Sequence, residues 1–172
     1  MKRLSIVALG ILLASGCSSS NSSPSTTSGP TTTRFTADLR PSNETPAITN
    51  AEQSGSGSVV IDLTQTKDSS GAVSTSTMNF SATMQGFPST TVVNIAHIHI
   101  GGSGVAGGIV VQTTLTPGQV VLTNGAGSFT EIGISLTNDL ASQILANPAG
   151  YYFNIHTAAN PGGVMRGQLV KQ

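Results

Sequence analysis

Residues 75–84, TSTMNFSATM, decide the predicted fold. Met78, Phe80, Ala82 and Met84 share one parity and polar residues occupy the other, a period of two that is typical of a strand with one buried face. Such runs recur between Gly, Pro, Asn and Ser residues, at 35–39, 59–63, 92–100, 109–115, 119–122, 128–134, 151–157 and 164–170. The spacing predicts an all-β fold, an antiparallel Greek-key-like sandwich or barrel.

One segment departs from the period of two. Its apolar residues recur at helical spacing, at Leu136, Leu140, Ile144 and Leu145. Thr137 or Asn138 can cap the start of a helix, and Asn147-Pro148 ends it. The sequence therefore predicts one short helix within the β fold.

The N-terminus has the features of an export signal. Lys2 and Arg3 precede an apolar stretch at 4–14, which is shorter than the roughly 20 residues that a membrane span needs. Residues 13–17, LASGC, resemble the lipobox of bacterial lipoproteins, with Ala14 where Leu is usual.

The lipobox resemblance implies a signal peptide over residues 1–16 and a lipid-modified Cys17. In that family the cysteine thiol carries fatty acyl chains such as palmitate, and more than one chain makes attachment to the membrane stable. We therefore expect an extracytoplasmic, lipid-anchored protein of the cell envelope. Ser18 follows the cysteine, and the absence of Asp there favours the outer membrane if the organism has two membranes.

Residues 18–33, SSSNSSPSTTSGPTTT, contain no apolar side chain that could enter a core. This composition predicts a disordered tether, with the lipidated cysteine, over 17–33, and a β domain over 34–172. Without the signal peptide the chain has five basic and seven acidic residues, a net charge of −2. Binding to nucleic acid is not expected, because it depends on clustered Lys and Arg.

Three blocks of sequence stand out within the predicted β domain. They are NETP at 43–46, AHIHIG at 96–101, and NIHT at 154–157 followed by NPGG at 160–163 and RGQL at 166–169. In this order, over roughly 34–170, they resemble the CHRD domain family, first described in chordin. The resemblance implies an exported domain and leaves its molecular role open.

The histidines of these blocks have a pattern that suits a metal ion. His97 and His99 are two apart on a predicted strand and project from one face, and His156 lies on another strand. Imidazole is a common ligand of zinc and copper, and Glu44 can add a carboxylate. The sequence therefore allows a metalloprotein that uses these residues for storage, sensing, or a hydrolytic or redox step.

A structural polar cluster is the alternative interpretation. The histidines can be satisfied by hydrogen bonds that fix loops, and Glu44, Asn154 and Arg166 can form a polar cluster in which Glu44 pairs with Arg166. The protein would then be a non-catalytic binding or structural module of the envelope, with a protein or an envelope polymer as partner. No serine lies in a Gly-x-Ser-x-Gly elbow and Cys17 carries lipid, so no catalytic residue is predicted.

Overall fold

The computed structural model describes residues 29–172. The predicted signal peptide, Cys17 and the predicted tether as far as residue 28 lie outside the described residues. From residue 29 onward the chain forms two antiparallel five-stranded sheets and one helix, so the prediction of an all-β sandwich with a short helix is confirmed.

The first sheet has the order β10-β1-β2-β3-β7. Its strands are β1 (Thr31–Leu39), β2 (Ser56–Lys67), β3 (Val73–Gln85), β7 (Gly127–Leu136) and β10 (Val170–Lys171). The second sheet has the order β5-β4-β8-β9, and β6 also pairs with β4. Its strands are β4 (Val92–Ile100), β5 (Ile109–Gln112), β6 (Val120–Val121), β8 (Tyr151–Thr157) and β9 (Met165–Gln168).

The core lies between the two sheets. The apolar parity of β3 is buried, and the Phe80 ring stacks on Phe153 of β8 with the centroids 5.6 Å apart. Buried aliphatic and aromatic side chains complete this layer from both sheets, among them Phe35, Ile61, Leu63, Met78, Ile98 and Ile155. Their alternation along each strand explains why each sheet turns one face to the other.

The helix α1 (Asn138–Ala146) begins and ends as predicted. The Thr137 side chain accepts a hydrogen bond from the Leu140 amide, which is an N-cap interaction, and Asn147-Pro148 follows the last turn. Ala141 and Ile144 are buried against the sandwich. Short 3₁₀ turns occur at Pro41–Asn43, Ala51–Ser54 and Pro148–Gly150.

The predicted tether includes residues that belong to the first strand. Residues 31–33 belong to β1 and pair with residues 63–65 of β2, and the Thr32 and Thr64 hydroxyls lie 2.9 Å apart. β-Branched threonines suit a strand even without an apolar face, and composition alone did not reveal this pairing. The β domain therefore begins at Thr31 and not at Arg34. Among residues 29–172 no helix is long and apolar enough to cross a membrane.

Candidate metal centre

The outward face of the second sheet carries the three histidines. His97 and His99 lie opposite Asn154 and Tyr152 in the register of β4 and β8, so the four side chains project from one face. His156 is two residues beyond Asn154 on β8 and shares that face. One ring nitrogen from each histidine lies within 4.8 Å of one nitrogen from each of the other two. The structure thus brings together the three histidines that the sequence singled out.

This face is closed to solvent although it points away from the core between the sheets. The side chains of His97, His99 and His156 are only 1, 8 and 6% exposed. The β4–β5 loop at 101–108 contacts His99 through Gly107, and the β8–β9 loop at 158–164 contacts His156 through Pro161. Residues 43–45 lie beside them and bond to Arg166. Polar rings enclosed in this way need partners for their nitrogen atoms.

Two backbone carbonyls fix the protonation pattern of two rings. His99 Nδ1 lies 2.9 Å from the Gly107 carbonyl oxygen, and His156 Nδ1 lies 2.8 Å from that of Pro161. A carbonyl only accepts, so Nδ1 carries the hydrogen in both rings and Nε2 keeps its lone pair when the imidazole is neutral. Metal-bound histidines in proteins are commonly oriented by such a bond from the other ring nitrogen.

The third ring leaves the cluster incompletely satisfied. His97 Nδ1 lies 3.3 Å from His99 Nε2, and because that Nε2 holds a lone pair, His97 Nδ1 must donate. His97 Nε2 is then an acceptor. Neither it nor His156 Nε2 has a hydrogen-bond partner, although both atoms are buried. Leaving a buried polar atom unpaired costs on the order of 1–3 kcal/mol.

The environment keeps the three imidazoles neutral. Burial lowers the pKa of His97 to about 4, and the neighbouring His156 and His99 lower it further in the same direction. Burial also lowers the pKa of His99 and of His156, against the effect of their carbonyl hydrogen bonds. A neutral imidazole is the form that binds a metal ion.

The three ring nitrogens are almost close enough together to bind one metal ion. An ion midway between three atoms 4.8 Å apart lies about 2.8 Å from each, whereas zinc–nitrogen bonds are about 2.0–2.1 Å long. Because 4.8 Å is the upper limit of the separations, each ring needs to move by less than about 1 Å to reach bonding distance.

Arg166 of β9 connects residues 43–45 and the β4–β5 loop to this face. Its side chain is 3% exposed and donates from Nε to the Asn43 carbonyl at 2.6 Å, from Nη1 to the Val105 carbonyl at 3.1 Å, and from Nη2 to the Thr45 hydroxyl. The guanidinium also lies 4.6 Å from the centre of the Tyr152 ring, a cation–π distance. Tyr152 in turn stacks on His99, with the centroids 4.9 Å apart.

The possible role of Glu44 as a metal ligand is not supported. Among the described residues the group with converging ligand atoms contains the three histidines alone, and Glu44 Oε2 lies 3.9 Å from Arg166 Nε. Glu44 follows the 3₁₀ turn at Pro41–Asn43, and hydrogen bonds between Asn43 and Arg166 hold this turn against β9. The Glu44 carboxylate is thereby directed to the Arg166 guanidinium. Burial raises its pKa to about 7, against the opposing effect of Arg166.

The structure brings Glu44, Asn154 and Arg166 together, with two atoms unpaired. Glu44 Oε1 and Asn154 Oδ1 are buried and have no hydrogen-bond partner. A Cβ on Gly163 would lie 3.0 Å from Glu44 Oε1 and 2.7 Å from Asn154 Nδ2. Gly163 also has a φ of +124°, so both the space and the backbone favour glycine here.

Several residues of the site were not predicted from the sequence. Tyr152 stacks on His99, and its hydroxyl accepts a hydrogen bond from the Gly107 amide at 3.2 Å. The carbonyls of Gly107 and Pro161 orient two rings, and carbonyl groups leave no signature in a sequence. Tyr152 has the same parity as Asn154 and His156 on the predicted strand, which is the signal that could have identified it.

Comparison with known families gives the class of the domain. The family model of the CHRD domain matches residues 35–169. The chain therefore belongs to the CHRD domain family, as the three sequence blocks indicated. Comparisons with curated proteins and with solved structures gave no match.

Proposed function

We propose that this CHRD domain binds one zinc or copper ion between His97, His99 and His156. The observation that carries the proposal is the convergence of three buried, neutral rings, two of them oriented by backbone carbonyls through Nδ1. The purely structural interpretation explains the Nδ1 bonds, which fix the β4–β5 and β8–β9 loops. It does not explain His97 Nε2 and His156 Nε2, which are buried and lack a donor.

The proposed role is to hold an ion and not to catalyse a reaction. A catalytic metal keeps a coordination position open to water or substrate, whereas a structural or storage site is enclosed by protein. The low exposure of all three rings supports the enclosed kind of site. An ion bound there would also join β4 and β8 to the two loops that the histidines already contact.

We further propose that the domain works outside the cytoplasm, attached to the envelope through Cys17. This part rests on the sequence, namely the basic start, the apolar stretch at 4–14 and the cysteine of LASGC. Replacing Cys17 by Ser should move the protein from the membrane fraction to the soluble fraction. Incorporation of labelled fatty acid into the Cys17→Ser variant would contradict the proposal.

Metal titration of the full chain in detergent tests the ion site. After removal of bound metal at neutral pH, zinc and copper are added separately, and stoichiometry and melting temperature are measured. We expect one ion per chain, and a stabilisation of about 2.7 kcal/mol when free metal is 100 times the Kd. Because burial lowers the pKa of all three rings, binding should persist below pH 6.5 and weaken only towards about pH 4, where His97 gains a proton and can no longer ligate.

Two substitutions and a control make the titration specific to the cluster. His97→Leu and His156→Leu each remove one ligand together with its unpaired Nε2. Each loses a single hydrogen bond, to His99 Nε2 or to the Pro161 carbonyl, so folding is expected to persist. Asp62→Asn, on the outward face of the first sheet, should bind metal as the wild type does. Failure of the wild type to bind either metal, or equal binding by the folded leucine variants, would overturn the proposal.

A further inference from the structure

We propose that the ion held by this site is monovalent copper, Cu(I), in preference to Zn(II) or Cu(II). This inference rests on the proposed function, because it names the ion for the same three histidines. It follows from the number of ligands, their charge, and the cation buried beside them.

The number of ligands is the first argument. Enclosed zinc sites are almost always four-coordinate, with four Cys, His, Asp or Glu side chains from the protein. Within residues 29–172 the converging group has three members and includes no cysteine or carboxylate. Cu(II) takes a tetragonal arrangement of four or more ligands. Cu(I) has a filled d shell and no such requirement, so that three imidazoles complete its coordination.

The charge of the ligands is the second argument. All three imidazoles are neutral, so the ion keeps its full formal charge inside the protein. The cost of transferring an ion from water into a low-dielectric interior rises with the square of its charge, and is therefore fourfold larger for a divalent ion than for a monovalent ion of equal size. Three neutral ligands offset this cost less well for a divalent ion than a set with thiolate or carboxylate would.

The surrounding charges act in the same direction. Arg166 is a buried cation whose ring contact with Tyr152 places it one aromatic layer from His99. The carboxylate nearest to it, Glu44, lies 3.9 Å from Arg166 Nε and outside the group of converging ligands. A second positive charge on the ion adds to the repulsion from Arg166 without gaining an anionic partner in contact.

Asn154 offers a way to reverse the preference. It lies opposite His97 in the strand register, on the same face, and its Oδ1 is buried without a hydrogen-bond partner. Asn154→Asp preserves the shape of the side chain and introduces a carboxylate beside the three histidines. If charge and ligand number select the ion, this variant should favour Zn(II) more than the wild type does.

The test compares three ions on the full chain in detergent. Cu(I) is titrated without oxygen against a competing Cu(I) chelator, and Cu(II) and Zn(II) are titrated against chelators of their own. We expect Cu(I) to bind at least about tenfold more tightly than either divalent ion, which raises the reduction potential of bound copper by about 59 mV for each tenfold preference over Cu(II). The X-ray absorption spectrum of the Cu(I) form should show three nitrogen ligands.

The variant supplies the second measurement. Asn154→Asp should increase the ratio of Zn(II) to Cu(I) affinity by about tenfold or more, while Asp62→Asn leaves it unchanged. Zn(II) or Cu(II) binding as tightly as Cu(I) to the wild type, or zinc bound with the Asn154 oxygen as a fourth ligand, would overturn this inference and leave the proposed function standing. Absence of binding by all three ions would overturn the proposed function itself.

Discussion

Strands β3 and β8 lie in opposite sheets of the sandwich and differ in what covers their outward faces. In β3 the inward residues are buried, while Asn79, Ser81 and Thr83 on the other face are exposed. In β8 all seven residues are buried, including Tyr152, Asn154 and His156 on the outward face. The first sheet therefore has a solvated polar face and the second an enclosed one.

This difference indicates where a function can lie. Exposed Ser, Thr and Asn side chains satisfy their polar atoms with water and need no further explanation. Enclosed polar atoms must find partners within the protein or in a bound group. On β4 and β8, His99 Nδ1 and His156 Nδ1 do so through loop carbonyls. His97 Nε2, His156 Nε2 and Asn154 Oδ1 have no such partner, and the first two belong to the rings that converge.

The largest difference between the two faces is expected in the loss of stability when an arginine on each face is replaced by alanine. Arg166→Ala should lower the free energy of unfolding by about 3–5 kcal/mol, because it leaves the buried Glu44 carboxyl group without its cationic partner. It also leaves the oxygens of Asn43, Val105 and Thr45 without their donor. Arg34 on β1 also pairs with an acid, Asp62, at 2.7 Å, but its side chain is 59% exposed. Arg34→Ala should therefore stay close to the wild type.

Urea unfolding of both arginine variants measures this contrast. The denaturant slopes should match that of the wild type, so that the change lies in the midpoint. Equal losses in the two variants would show that Arg166 contributes no more than a surface ion pair, and that the outward face of β8 is not held closed by this residue.

A pair of glycines gives the next largest effect. Gly163 and Gly133 both have positive φ, but a Cβ would collide with Glu44 and Asn154 at Gly163 and would meet nothing within 4 Å at Gly133. Gly133→Ala should cost about 1–2 kcal/mol of backbone strain alone. Gly163→Ala should cost at least about 1 kcal/mol more, because the side chains of the polar cluster must shift. Thermal unfolding of the two variants compares these losses of stability directly. Equal losses would mean that Glu44 and Asn154 can move away from the new methyl group without destabilising the protein.

Sequence periodicity predicted the strands of the two sheets equally well. The parity of TSTMNFSATM at 75–84 and of YYFNIHT at 151–157 reveals which residues share a side, and it correctly placed His97 beside His99. Parity does not reveal whether loops close over the outer side. The enclosure depends on contacts between residues more than a hundred positions apart, such as Asn43 with Arg166.

Two features could not be predicted from local sequence, for the same reason. Glu44 has the chemistry of a metal ligand, but the direction of its side chain depends on the bonds of Arg166 to the 43–45 segment. Residues 31–33 look like tether, but β2 extends far enough to pair with them. Both outcomes depend on a distant partner, which local composition does not contain. The helix α1 was predicted well because its cap and its end signal are local.

The smallest expected effect concerns the buried acid on the enclosed face. In the folded protein, burial raises the pKa of Glu44 from its usual 4.5 to about 7. From pH 4.5 to about 7 the unfolded chain therefore releases this proton while the folded chain keeps it, so the contribution of Glu44 to stability falls as pH rises through this range. Glu44→Gln cannot ionise and should escape that loss.

The metal-free Glu44→Gln variant should gain stability relative to the wild type between pH 5 and pH 8. We expect a gain on the order of 1 kcal/mol, because solvent screens part of the burial effect. Taking the difference between variant and wild type at each pH cancels the titration of the three histidines. Asp62→Asn is the matched control on the exposed face: Arg34 lowers the pKa of Asp62, so this acid is ionised in both states above pH 5 and its difference should be flat. A flat difference for Glu44→Gln as well would mean that the carboxylate is ionised at pH 5 in the folded protein, and that Arg166 outweighs burial.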